Sequence, residues 1–228
     1  MQYLTENLNS INKQIREAEV KSGLAKNSVT LIGVSKTFDA EVINAAIDAG
    51  VEHIGENRIQ EFRDKSDAID RPVKKHFIGH LQRNKVKYAV KLFDMIQSVD
   101  NIALAEEIHA RCAKLNRQMP VLIEVNTSGE PQKIGCDPGS ALTLLKAIDR
   151  LPNLNVQGFM TIAIYSEDKE RVRPCFRLLK ELYDEAGTFE LNHADIKTLS
   201  MGMSGDFQVA IEEGANMVRI GSALFGKR

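Results

Sequence analysis

The stretch Leu31–Asp39, LIGVSKTFD, decides how the chain is read. Leu31, Ile32 and Val34 are apolar or β-branched, the composition of a short buried strand. Ser35, Lys36 and Thr37 break that run, and Asp39 stands where a helix would take its N-cap before Glu41–Ala49. In that next segment Val42, Ala45, Ala46 and Ala49 recur at helical spacing, and Gly50 stops it. One strand and one helix, joined by a turn that carries a lysine, form the unit.

The unit recurs along the chain. Strands are expected at Thr30–Lys36, His53–Glu56, His76–His80, Phe93–Val99, Val121–Asn126, Val156–Ile162, Thr198–Met201 and Met217–Gly221, with helical stretches between them. Strict alternation of strand and helix implies parallel strands with right-handed crossovers. Eight units point to a closed (β/α)8 barrel, a TIM-type fold whose usual length is about 250 residues. An open doubly wound sheet is the structural alternative. Little chain remains after the eighth strand, so the last outer helix is expected to be short or missing. An N-terminal helix over about residues 2–22 would cover that gap. The chain reads as one domain over 1–228, with the barrel at about 30–226.

Composition narrows the functional classes. Thirty basic and 31 acidic side chains give a formal charge of −1, so no bulk field draws the protein to nucleic acid or a membrane surface. Cys112, Cys136 and Cys175 are odd in number, far apart and without a CxxC pair, the usage of a reducing cytoplasm. The start MQYLTENLNSINKQI lacks the basic and apolar regions of a signal peptide. No apolar run approaches the ~20 residues of a membrane helix. The expectation is a cytoplasmic protein that touches neither nucleic acid nor membrane.

In a barrel the chemistry gathers at the C-terminal ends of the strands. There the chain places Lys36, Glu56 with Asn57, His80, Asn126, the run SMGMSGD (200–206) and MVRIGS (217–222). Gly202 and Gly205 flank Ser204 just before a helix, where Ser204 would fit the N-cap, and Gly221–Ser222 forms a second small turn. Together they suit an anion held between the loops after strands 7 and 8, the recurrent phosphate site of this architecture; ordinary tight turns are the plain alternative. Alternation puts Lys36 on the barrel side with Ile32 and Val34. A lysine above an apolar floor loses hydration, which favours its neutral amine and suits it to a Schiff base with an aldehyde. Arg219, inward with Met217, stays protonated and can donate to a ring nitrogen or a phosphate. Lysine, arginine and phosphate cup describe a site for a phosphorylated heteroaromatic aldehyde, and pyridoxal 5′-phosphate (PLP) matches. His76 and His80 lack a third ligand for a metal, and Cys136 lacks a base partner for nucleophilic work.

The motifs LIGVSKT, HIGENRIQE, HFIGHLQRNK, IQSVD, EVNTSGEPQKIG, GFMTI, LSMGMSGDF and VRIGSALFG follow in that order from Leu31 to Gly226. Together they resemble the pyridoxal phosphate homeostasis protein family. The resemblance implies the alanine-racemase-like barrel of fold type III, with PLP held as a Schiff base on Lys36 and Arg219 facing the pyridine nitrogen. It implies that Ser204, Gly221 and Ser222 contact the phosphate, that Ser200 and Met201 line the cofactor, and that Asn57 sits beside the ring. It also implies a carrier or buffer of PLP, with apo PLP-dependent enzymes as acceptors, in place of a dedicated reaction.

An arginine at the ring nitrogen weakens the electron sink that PLP enzymes use. Racemases of this fold bring a second base, a tyrosine from an additional β-domain across a dimer. Tyr3, Tyr88, Tyr165 and Tyr183 are expected outside the strand-end set, and the chain ends at Arg228 without such a domain, so a monomeric binding protein is expected. A weak amino-acid racemase is the alternative, and a Schiff-base aldolase working without cofactor is a third class. Lys133, in the loop after strand 5, is a candidate for assisting PLP transfer; a solvated loop lysine is the plain alternative.

Overall fold

The computed structural model describes residues 1–226. In chain order the elements are α1 (Gln2–Lys21), β1 (Thr30–Val34), α2 (Ala40–Asp48), β2 (His53–Glu56), α3 (Ile59–Ser66), β3 (Lys74–Phe77), α4 (Val86–Leu92), β4 (Met95–Val99), α5 (Ile102–Ala113) and β5 (Met119–Glu124). They continue with α6 (Pro138–Ile148), β6 (Leu154–Met160), α7 (Lys169–Ala186), β7 (Thr198–Met203), α8 (Phe207–Glu212), β8 (Met217–Ile220) and α9 (Ser222–Phe225). The eight strands close into one barrel in sequence order, every neighbouring pair parallel. β8 returns to β1 with Thr30 opposite Met217 and Ile32 opposite Arg219. The closed (β/α)8 architecture is therefore borne out, and the open sheet is excluded.

Two apolar layers hold it. Inside the barrel Met95, Leu122 and Met160 form a small plug. Outside, the other strand faces and the helices share one continuous core that includes Phe62, Phe93, Phe159 and Phe176. The inner plug is small because buried polar side chains (His76, Gln97, Ser200 and Arg219) occupy much of the lumen.

The closing helix α9 is a single turn, and α1 takes its place. Leu4, Leu8, Ile11 and Ile15 of α1 are buried at helical spacing, and α1 packs on α8 and α9. The Asn7 amide donates to the carbonyl of Leu224 at 2.9 Å.

Five strands (β1, β3, β5, β6 and β8) end one to three residues before the expected position, β2 and β4 end where expected, and β7 runs two residues further, to Met203. β1 ends at Val34 and β3 at Phe77, so Lys36 and His80 lie on the following turns. Asp39 does hold the N-cap position of α2, though its side chain caps no backbone N–H.

Candidate cofactor site

Lys36 is half-buried and lines a cavity of 730 Å³ at the C-terminal mouth of the barrel, together with Arg219, Ser204, Gly221 and Ser222. The turn that presents it is pinned from behind. Thr37 adopts φ 71°, a left-handed conformation costly for a β-branched residue. Lys65 of α3 donates to the carbonyls of Ser35 (3.2 Å) and Phe38 (3.0 Å), on both sides of that turn. The same ammonium meets Glu56 at 2.9 Å and Glu61 at 3.1 Å. Ser35 donates its hydroxyl to Glu56 at 2.6 Å, and Glu61 accepts from the Thr37 N–H. Burial pushes the Glu56 carboxyl up, against the pull of Ser35 and Lys65. Glu56 thus points outward, under the lysine-bearing turn, and not into the mouth.

Arg219 is the opposite wall. It is 4% exposed, and its two terminal nitrogens donate to the Ser200 hydroxyl and the Thr161 carbonyl, each at 2.7 Å. Burial pulls its pKa down to about 10, opposed by Glu124 and Asp206, so it is a cation at neutral pH. Burial, with Asp100 adding to it and Arg219 opposing, raises Glu124 to about 7.

At one end of the cavity the loops after β7 and β8 converge. The Ser204 hydroxyl accepts from the N–H groups of Gly221 and Ala223, both at 3.3 Å. Two backbone donors aimed at one oxygen are what an anionic oxygen would also satisfy. Ser204 is not the helix N-cap expected from the sequence. That position falls to Asp206, whose carboxylate accepts from the Met203 N–H.

The other expected residues lie outside the cavity lining. Ser200 is fully buried and reaches the site through Arg219. Met201 is fully buried in the large apolar core. Asn57 is half-buried after β2, its backbone packed so tightly on Gly79 that a Cβ there would sit 2.4 Å from the Asn57 carbonyl oxygen.

Two residues at the mouth, Tyr165 and Lys169, were missed or misread, while Lys133 stands on the face of Lys36 as expected. Tyr165, expected away from the strand ends, lines the cavity and is 94% exposed. Lys169 stands beside it. Lys133 also lines the cavity, donating to the Ala163 carbonyl at 2.8 Å and pairing with Glu130. Its loop is stitched down, because the Asn126 amide donates to the carbonyls of Glu130 (2.9 Å) and Lys133 (3.3 Å). Burial pushes the Cys136 thiol up to about 12, which keeps it a thiol and not a nucleophile.

Fold and site together define the class. Residues 7–228 match the alanine racemase N-terminal domain family. An alanine racemase of Clostridium difficile superposes with a TM-score of 0.72 at 17% identity, over 100% of this chain and 57% of that one, a likeness of fold alone. The pyridoxal phosphate homeostasis protein of Aquifex aeolicus is 47% identical over 98% of this chain and 97% of its own length. The chain belongs to the pyridoxal phosphate homeostasis protein family. The structure of PipY from Synechococcus elongatus, described with PLP bound, is 33% identical with a TM-score of 0.82, over 98% of this chain and all of that one.

Proposed function

We propose that this protein binds PLP as a Schiff base on Lys36 and serves intracellular PLP homeostasis as a cytoplasmic carrier or buffer, with no dedicated catalytic reaction. The observation that carries the reading is the single cavity shared by a lysine amine, a buried arginine and a two-loop anion cradle. Full-length similarity to homeostasis proteins, and to a relative described with PLP bound, supports it.

The donor set fits the cofactor. Lys36 offers the amine, Arg219 a fixed cation that can donate to a ring nitrogen, and Ser204, Gly221 and Ser222 the donors for a phosphate. Ser200 holds Arg219, whereas Met201 and Asn57 lie outside the cavity lining. When bound, PLP supplies an aldehyde carbon open to amines. The protein's own residues orient and retain it; an always-charged arginine does not yield a proton to the ring, which keeps the electron sink weak. Acceptors would be apo PLP-dependent enzymes, the protein acting as a monomer. Lys133, at the same mouth, would receive the aldehyde during release by leaving the Ala163 carbonyl and Glu130.

A weak amino-acid racemase is favoured by two observations: Tyr165 at the mouth, and Glu124 with a pKa near neutrality. An exposed tyrosine has no fixed position from which to act as a base. Two assays separate the readings. The loaded protein should show the visible absorbance of a lysine–PLP imine and restore activity to an apo PLP enzyme. Incubated with L-amino acids, it should yield no D-enantiomer above background. Steady accumulation of a D-amino acid would favour the racemase, and absence of the visible band would remove the PLP reading.

A further inference from the structure

A continuous chain of side-chain hydrogen bonds crosses the barrel lumen. At its upper end Arg219 donates to the Ser200 hydroxyl at 2.7 Å. Ser200 donates to the Gln97 carbonyl oxygen at 2.7 Å. Gln97 Nε2 meets His76 Nδ1 at 3.0 Å, and His76 Nε2 meets His53 Nδ1 at 2.9 Å. Ser200, Gln97 and His76 are buried; His53 is half-buried. His53 lines a separate pocket of 340 Å³ on the N-terminal face, under α1.

Elementary donor counting gives this chain one direction. A guanidinium has only donors, so the Ser200 oxygen must accept from Arg219. The single Ser200 proton is then free for Gln97 Oε1, which leaves Gln97 Nε2 to donate. Its two protons go to His76 Nδ1 and to Met217 Sδ, 3.2 Å away. His76 therefore carries its proton on Nε2 and donates to His53 Nδ1. Burial, then the neighbouring His53 and Lys74, lowers His76 to about 3, so it is neutral as the chain requires.

We propose that His53, His76, Gln97 and Ser200 form a directional relay that positions Arg219 and transmits the protonation state of His53, on the N-terminal face, to the cofactor-ring position. The proposal rests on the PLP reading for the identity of that position. His76, Gln97 and Ser200 are positioning residues: they touch the site only through Arg219.

Protonation of His53 puts a donor on Nδ1, facing the Nε2 proton of His76. The chain is satisfied again only if each link from His53 to Ser200 reverses, while Arg219 keeps donating to Ser200. His76 holds its proton on Nδ1, the Gln97 amide turns over, and Gln97 Nε2 donates to Ser200. The Ser200 oxygen then accepts from both Gln97 and Arg219, and its own proton needs a new acceptor beside Arg219. His76 neither gains nor loses a proton in this change. The groups facing His53 are Glu52 beside it, Lys74 and His76 from β3, Asp94 ahead of β4, and Arg16 and Glu19 from α1 at the pocket rim. Burial, together with Lys74, lowers its pKa below the ordinary 6.5, against Glu52 and Asp94. Acid is thus needed to reverse the relay.

Nitrogen NMR of the histidine side chains in the cofactor-free protein reads the direction without reference to PLP. His76 should be a single neutral tautomer protonated at Nε2, with His53 Nδ1 unprotonated at neutral pH. A proton on His76 Nδ1 there would overturn the direction. In the PLP-loaded protein, the cofactor absorbance should change with the midpoint that NMR gives for His53. His53→Gln, on the half-buried face, should abolish that component while the visible band remains, and Gln97→Leu should do the same. Absence of the component in the unsubstituted protein, or its persistence in His53→Gln, would overturn the coupling. A loaded protein with no visible band at all would instead sink the PLP reading, leaving the NMR result on the relay intact.

Discussion

Lys36 and Arg219 do different work within one cavity, and their substitution should separate. Lys36 is a half-buried rim residue outside the apolar core, so Lys36→Ala should remove the visible imine band and leave the folded protein intact. Circular dichroism and absorbance on one sample check both halves. Loss of the fold, or a retained band, would count against the tether. Ser204→Ala removes a contact without touching the amine. The band should survive, and PLP should be held roughly 10- to 100-fold less tightly, the worth of a charge-assisted hydrogen bond of about 1.5–3 kcal/mol. Unchanged dissociation would take Ser204 out of the site.

Glu124 permits a prediction with a definite sign. Its carboxyl is raised by burial from 4.5 to about 7 in the folded protein. A raised acid contributes stability below the unfolded value and loses it as pH climbs through the folded one. Stability should therefore fall between pH 4.5 and about 7 on this account, by up to about 3 kcal/mol. His76 works in the opposite sense, since a lowered histidine costs stability as pH drops below 6.5. Only the difference between the unsubstituted protein and Glu124→Gln isolates the carboxyl. Urea denaturation at several pH values should show the variant gaining relative stability as pH rises; a flat difference would refute the assignment.

At the scale of elements, the turn after β1 depends on α3. Lys65 joins Ser35, Phe38, Glu56 and Glu61 behind Lys36, and the Glu56 side chain is completely buried. Lys65→Met would leave that carboxylate without its cation, a change that costs about 3–5 kcal/mol when one partner of a buried pair is removed. It should also weaken PLP retention, because Lys36 loses its fixed turn. Urea unfolding of the cofactor-free protein measures the first effect and cofactor dissociation the second. A double variant with Glu56→Gln should recover part of the stability if the unpaired charge is the cause.

The same element shows where sequence reading stops. Glu56 follows an apolar strand and reads as a rim carboxylate, whereas the structure turns it outward to Lys65. Side-chain facing depends on barrel register, which periodicity over a four-residue strand cannot set. Ser204 was misassigned as an N-cap because Ser and Asp are both good caps, and Asp206 stands two residues closer to the helix. Lys36, Arg219 and the Gly/Ser turns were legible because their chemistry follows from residue type and strand parity. Tyr165 was not: it lies beyond β6 in a loop whose path no period describes. The lumen relay was also invisible, since His53, His76, Gln97 and Ser200 come from four separate strands.

For the whole molecule, closure depends on α1 standing in for a full eighth helix. The alternation of strand and helix gave the barrel, and the one-turn α9 leaves a face that α1 covers. Leu8 of α1 is buried, with Gly50, at the end of α2, against it. Leu8→Ala should cost about 2–5 kcal/mol, as large-to-small core changes do, and lower the urea midpoint without altering the absorbance of loaded protein. A near-zero cost would mean that α1 is dispensable to closure.

The covalent link between Lys36 and PLP can be read directly. The protein loaded with PLP is reduced with borohydride, digested, and mapped by mass spectrometry. The pyridoxyl mass is expected on the peptide carrying Lys36, with any label on Lys133 or Lys169 minor. A label found mainly on Lys133, on Lys169 or on a lysine outside the mouth, or no label at all, would contradict it.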